Sequence, residues 1–316
     1  MNIDTNMQET LNNQENEIDL QDIFNIIFLE KKVIFYITSF VTIIGILYSF
    51  LLPNVYESRA ILAPVNSSNN LSGVLQNASG LASIAGIRLP NQSENDTSLK
   101  ALKKLDSLSF FENNIYPNIF LPDLMAFDSW DGKTNTIIYD DSIYNKNSNK
   151  WVRDYSYPYK LIPTPQESFK KLKDKHLNLG EDKETGFITL AIKHQSPHIA
   201  KSWTELYVKE INAYYRQKDK LEAQKASSYL KKQIAVTNLS EIKEAIAQLL
   251  QKETQKLTLI EANQSYVYDY IDPPVVMERK SEPRRFLIFV ISLFIGITFS
   301  ILIVFARHSF LREKAS

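Results

Sequence analysis

Two stretches of this chain carry no charged residue over a length that matches a lipid bilayer, and no other feature constrains the fold so strongly. Residues 33–52 read VIFYITSFVTIIGILYSFLL, and residues 286–306 read FLIFVISLFIGITFSILIVFA. At about 1.5 Å of rise per residue, a helix of about twenty residues covers about 30 Å, the thickness of the hydrocarbon core. Lys31 and Lys32 precede the first run and Pro53 follows it. Arg284 and Arg285 precede the second run; Arg307, His308 and Arg312 follow it. A buried core helix seldom stays uncharged for so long. A cleaved signal peptide fits the first run poorly: the run is too long, acid-rich sequence precedes it, and no small-x-small site follows closely. The expectation is a chain anchored by two transmembrane helices, at 33–52 and 286–306.

Two spans put both termini on one side. Lys31, Lys32, Arg307, Arg312 and Lys314 favour the cytoplasm for the ends. Arg279, Lys280, Arg284 and Arg285 point the other way, but they belong to a long translocated segment, where the positive-inside rule has little force. The predicted layout is a cytoplasmic tail at 1–32, the first span, an external domain at 53–285, the second span, and a short tail at 307–316. Within the first tail, EIDLQDIFNIIFLEKK reads as an amphipathic helix on the inner membrane surface. Lys plus Arg and Asp plus Glu both total 36, so nothing favours bulk attraction to nucleic acid. The absence of cysteine excludes disulfides, thiolate metal sites and a cysteine nucleophile, and it suits an oxidising compartment.

The external segment predicts an α+β domain with a long protruding α-helical hairpin. Its base is expected at 53–196. VYESRAILAP and FITLAIKH read as strands, whereas residues 98–115 and QESFKKLKDKHL have helical spacing. Residues 66–88 read as a flexible loop and a small-residue helix, and the aromatic stretch at 124–159 as loop-rich. Residues 197–268 are assigned to long helices. The first runs to Val236, with Pro197 suited to its opening turn. The second carries the stripe Leu239, Ile242, Ile246, Leu249, Leu250, Leu257 and Ile260, with Asn238 or Ser240 as its cap. Arg216, Lys218, Lys220 and Lys225 lie in a stretch that is polar all round, which predicts a protruding tip or a wet lumen. Residues 271–285 return to the membrane, stiffened by Pro273, Pro274 and Pro283.

Catalytic signatures are sparse. No phosphate-binding glycine loop occurs. His194 and His198 stand four apart, but Pro197 breaks the helix that would align them, so HQSPH reads as a strand-to-helix corner. Asp140-Asp141 and Glu181-Asp182 lie in polar turns. Trp130, Tyr139, Tyr144, Trp151, Tyr155, Tyr157 and Tyr159 read first as packing anchors and second as surfaces for sugar rings. Asn66, Asn77 and Asn91 open Asn-x-Ser/Thr triplets in a chain rich in asparagine. In the spans, Thr38, Thr42, Gly45 and Ser49, and likewise Ser292, Gly296 and Ser300, recur at the spacing that lets helices approach closely in lipid.

The layout resembles that of the Wzz-type chain-length determinants, the polysaccharide co-polymerases of Gram-negative inner membranes. The resemblance runs from Ile18 over nearly the whole chain. It is carried by LMAFDSWD, NKWVRD, TGFITLAIKHQSPHIAKSW, VKEINAYYR, LSEIKEAIAQLLQKETQKLTLIEAN and IDPPVVMERKSEPRR. Pro273, Pro274 and Pro283 occupy the family's proline-rich signature; Met277 stands where another proline is expected. The pattern looks closest to the branch acting on lipopolysaccharide O-antigen. The resemblance implies an α/β periplasmic base, a projecting helix and a homo-oligomeric ring. It implies no catalysis and no cofactor, and it implies a separate membrane polymerase and a glycan on a lipid carrier as partners. A capsule or exopolysaccharide export adaptor and a membrane-anchored glycan-modifying enzyme are the competing expectations.

Overall fold

The computed structural model describes residues 28–65, 94–263 and 265–315. The expected amphipathic helix as far as Ile27, the small-residue segment at 66–88 and the Asn-x-Ser/Thr triplets opened by Asn66, Asn77 and Asn91 lie outside them. The chain divides into two units. One comprises the chain up to Asn54 and from Glu282 onward; the other comprises Val55–Ser281.

The first unit is a pair of helices, α1 (Lys31–Leu51) and α6 (Arg285–Ala315). Both are long and apolar enough to cross a membrane. They run antiparallel, since Thr38 meets Ser300 and Gly45 meets Ser292.

The second unit is mixed. Its elements are β1 (Tyr56–Pro64), α2 (Glu94–Leu105), the hairpins β2 (Phe127–Asp131) with β3 (Thr136–Tyr139) and β4 (Tyr144–Asn145) with β5 (Lys150–Trp151), and α3 (Pro165–Lys175). These are followed by β6 (Leu177–Glu181), β7 (Ile188–His194), α4 (Pro197–Val236), α5 (Ser240–Ala262) and β8 (Tyr268–Asp272). Four strands form one antiparallel sheet in the order β6-β7-β1-β8. Register follows burial. Ser58, Ala60 and Leu62 of β1 stand opposite Ile192, Leu190 and Ile188 of β7, and all six are buried. A one-residue slip would turn that row outward, so the apolar alternation fixes the pairing.

The first half of α4 covers this row, burying Trp203, Tyr207, Val208 and Ile211. Phe110, Phe111, Ile115, Leu124 and Leu172 complete the core. They come from short helical turns at Leu108–Phe110, Phe111–Ile115 and Leu121–Met125, and from α3. The cap on α3 is Thr164, whose side chain accepts from the Glu167 amide at 3.3 Å, with Pro165 in the first turn and Lys173 and Lys175 in the last.

Several expectations shift. The helices end at Ala262, short of the expected 268, and Tyr268–Asp272 form the edge strand β8 at the point where the proline-rich return was expected to begin. The expected loop at 124–159 holds two hairpins, turned through Asn135 and Asn149 at φ 52°. Asparagine tolerates that left-handed backbone better than most residues. No side chain caps α5, which starts after Leu239.

Candidate functional site: a membrane seam and a tied helical hairpin

The expected small residues of the spans meet within one chain. Thr38, Thr42, Ser49, Ser292 and Ser300 are buried between α1 and α6. A Cβ added at Gly45 would lie 2.5 Å from the Ser292 Cβ, and one at Gly296 would lie 3.2 Å from the Thr38 backbone. At Gly45 a side chain would collide with that of Ser292, and at Gly296 it would press on the Thr38 backbone, so both glycines favour the close approach. The hydroxyls turn back on their own helices: Thr42 Oγ1 donates to Thr38 O at 2.8 Å, Ser292 Oγ to Phe289 O at 2.9 Å and Ser300 Oγ to Ile297 O at 2.8 Å. Thr38 Oγ1 reaches across to Ser300 Oγ at 3.4 Å. At the two ends of the pair, Arg307 lies 3.7 Å from Glu30, and the Arg285 guanidinium sits 4.8 Å over the Phe50 ring. The outward faces carry Phe35, Tyr36, Phe40, Phe286, Phe294 and Phe299, all exposed.

The proline segment falls on both sides of the division. Pro273 and Pro274 directly follow β8 in the mixed unit, with Pro274 buried, whereas Pro283 belongs to the helical pair. Between them, the Val275 carbonyl accepts from Ser58 Oγ at 2.9 Å, and Ser281 donates its amide to the Val55 carbonyl at 2.8 Å. The return segment is therefore tied to the start of β1.

The polar residues of α4 fall into two groups. Arg216 and Lys220 turn toward the returning chain: Arg216 Nη2 donates to Asn263 O at 2.7 Å, and Lys220 Nζ lies 2.5 Å from Glu261 Oε1. That lysine holds the Glu261 carboxyl below its usual range. Lys218 lies over the Tyr215 ring and within 4.0 Å of Glu222, and Lys225 is exposed. Arg216 and Lys220 thus find their acceptors on the antiparallel α5 and on the residue after it.

One residue that carries no sequence signal holds this junction. The Asn212 Oδ1 accepts from the amides of Tyr266, Val267 and Tyr268 at 3.2, 2.7 and 3.0 Å, and its Nδ2 donates to the Tyr268 carbonyl at 2.9 Å. Beside it, Tyr266 Oη donates to Asp219 at 2.6 Å and the buried Tyr268 Oη to Ser98 O at 2.7 Å.

The HQSPH corner is structural. His194 is buried, its Nδ1 accepts the Ser196 amide at 3.0 Å and its Nε2 meets Asp123 O at 3.2 Å. Its ring stacks on His176 at 5.5 Å, with Trp203 edge-on to both. Burial, with the neighbouring His176, lowers the His194 pKa to about 3, and burial lowers that of His176 as well.

Residues 16–113 match the Wzz family model, described as Chain length determinant protein. The match takes in α1, β1 and α2 and covers less than half of the chain. No curated protein sequence matches the chain. Among solved structures, the chain is similar to a full-length bacterial polysaccharide co-polymerase at 11% identity and a TM-score of 0.39, over 94% of this chain and 100% of that one. A fragment of the polysaccharide co-polymerase WzzB from Salmonella Typhimurium aligns at 12% identity and a TM-score of 0.32, over 72% of this chain and 100% of that one. A mutant of the lipopolysaccharide O-antigen chain-length regulator of Shigella flexneri aligns at 10% identity and a TM-score of 0.24, with the same coverages.

The remaining candidates sort by burial. Asp140 accepts from the Ser142 amide and Asp182 from the Glu184 amide, so both acid pairs close turns. No group of three or more metal-ligating side chains occurs among the described residues. Trp130 packs edge-on against Tyr56, and Tyr144 against Trp151. Tyr155, Tyr157 and Tyr159 instead stand exposed on a loop whose ends Arg153 ties together through the carbonyls of Lys160 and Leu161 and the Glu167 carboxylate.

Proposed function

We propose that this protein is a non-catalytic regulator of the modal chain length of lipopolysaccharide O-antigen. It acts as an inner-membrane scaffold for a separate polymerase. In this reading both termini are cytoplasmic, the mixed unit is periplasmic, and several copies assemble into a ring around or beside the growing glycan. The observation that carries the reading is the pair of apolar helices, seamed to each other inside one chain and flanking a single mixed unit in sequence, together with the Wzz family match at residues 16–113. The seam consumes the small residues, so contacts with a polymerase within the membrane fall to the phenylalanine-rich outer faces. Self-association is supported by the apolar stripe of α5: Leu239, Ile242 and Leu259 remain exposed, and Ile260 alone in that helix is buried. Such exposed residues gain stability when covered by a neighbour.

Deleting the gene is expected to broaden or shift the O-antigen ladder on a gel without abolishing the polymer. Loss of surface polymer at unchanged chain length would instead assign the protein to capsule or exopolysaccharide export. Turnover of glycan by the purified protein would assign it to catalysis.

A further inference from the structure

Two open clefts in the mixed unit share Phe120 in their linings; the turn at Tyr116–Asn118 adds Tyr116 to one and Asn118 to the other. The first, of about 490 Å³, is walled by Tyr116, Phe120, Tyr144 and Trp151, with Asn149 beside them. The second, of about 780 Å³, sets Phe120 and Trp203 among Asp123, His198, Glu205 and Lys209. Ligand sites commonly span roughly 300–1,000 Å³. Neither the seam nor the hairpin ties use these surfaces.

The walls of the first cleft are fixed in place. Tyr144 is held edge-on by Trp151 at 5.3 Å and by Phe120 at 6.0 Å. Its hydroxyl donates to Asn149 Oδ1 at 3.1 Å, and the Tyr116 hydroxyl donates to Pro163 O at 2.9 Å. With the phenols engaged and Tyr144 itself buried, Phe120 supplies the open carbon surface of the cleft. Phe120, between the two clefts, stays 52% exposed although it packs beside Tyr139 and Tyr144. Phe120 thereby offers an exposed aromatic face in the lining shared by the two concavities.

We propose that the two clefts form one track for a neutral oligosaccharide segment, with a sugar ring stacked on Phe120. The assignment rests on the glycan reading above and adds the place of contact. A pyranose has an apolar C–H face and a rim of hydroxyls. The aromatic walls match the face; the Asn149 amide, His198, Glu205 and Lys209 match the rim. A lipid tail or apolar peptide would bury those polar groups without partners, and desolvation without new hydrogen bonds opposes such binding. An acidic glycan would meet two carboxylates, Asp123 and Glu205, with Lys209 as the one lysine or arginine in the lining.

The test uses the full-length protein in detergent. The probe is oligosaccharide released by mild acid from the surface polysaccharide of cells carrying the protein. Binding is followed by tryptophan fluorescence and by saturation-transfer NMR on the sugar. Saturable binding is expected, weakened at least tenfold by Phe120→Ala, restored by Phe120→Trp, and unchanged by Tyr157→Ala on the exposed loop. Lys209→Ala, on an exposed helix face away from the packed rings, is expected to weaken binding severalfold without altering the fold. No saturable binding, or binding indifferent to both Phe120→Ala and Lys209→Ala, overturns the proposal. So does tighter binding of polygalacturonate oligomers than of the neutral probe. A Phe120→Ala variant that changes the mass of the complex but not sugar binding gives the face to a second copy of the chain, which also overturns it. The two readings fail separately. An O-antigen ladder altered by gene deletion with no binding sinks the track alone; binding with an unaltered ladder sinks the chain-length reading alone.

Discussion

Asn212 shows how much a single side chain can hold. Its amide makes four hydrogen bonds to residues 266–268. Asn212→Ala is expected to cost about 2–4 kcal/mol, because it removes these bonds and leaves backbone groups without partners. Thermal unfolding of the detergent-solubilised chain checks this; an unchanged midpoint would contradict it. Nothing in VKEINAYYR distinguishes this asparagine, since its acceptors and donors lie far along the chain. His194 and His176 form a second such pair. Facing them are Lys171, Lys175, the Asp123 carbonyl, Phe127 and Trp203. Both histidines are held neutral in the fold, with pKa values below the free value of 6.5. Their contribution to stability is therefore complete above pH 6.5 and is lost as the pH falls from there toward about 3, because the unfolded chain takes up the protons first. Denaturation midpoints measured from pH 8 to pH 4 are expected to be level and then to decline, and His194→Gln should flatten the decline. The sequence offered His194 with His198 because they are neighbours in the chain. The stacking partner is His176, which only the β6–β7 pairing brings alongside.

Among the elements, the seam between α1 and α6 has the clearest test. The chain has no cysteine, so Thr38→Cys with Ser300→Cys introduces the sole pair of thiols. The native hydroxyls stand 3.4 Å apart, and a crosslink within one chain is expected on mild oxidation in membranes. Adding Gly45→Leu, whose Cβ meets Ser292 at 2.5 Å, should push the helices apart and abolish it. A crosslink that survives Gly45→Leu would contradict the contact. The seam was legible in the sequence as small residues at a spacing of four; the partner of each helix was not, because the same pattern serves contacts within a chain and between chains. The long helices, α3 and strands β1 and β7 were legible for the usual reason, an apolar period matched to the element. The hairpins β2–β3 and β4–β5 were not. Their strands are two to five residues long, too short to show alternation, and their turns are dense in Asn, Asp and Gly. Strand β8 was hidden by its prolines, which read as a stiff linker although the strand ends just before them.

At the scale of the molecule, topology is the primary test. Reporter fusions at residue 150 are expected to report the periplasm, and fusions at either terminus the cytoplasm. A cytoplasmic signal at residue 150 would contradict the arrangement. The order of the main sheet has a further consequence for biogenesis. Strand β1 is made early, yet both of its neighbours, β7 and β8, emerge far later, and β8 emerges only after both long helices. Pairing so remote in sequence gives a high contact order and slow folding. Until the last strand arrives, β1 keeps a bare hydrogen-bonding edge, the usual nucleus of aggregation. The strand that closes that edge lies directly before the second membrane helix. Completion of the sheet thereby waits until both long helices have been made, and a nascent chain halted inside the hairpin should be a substrate for chaperones and proteases.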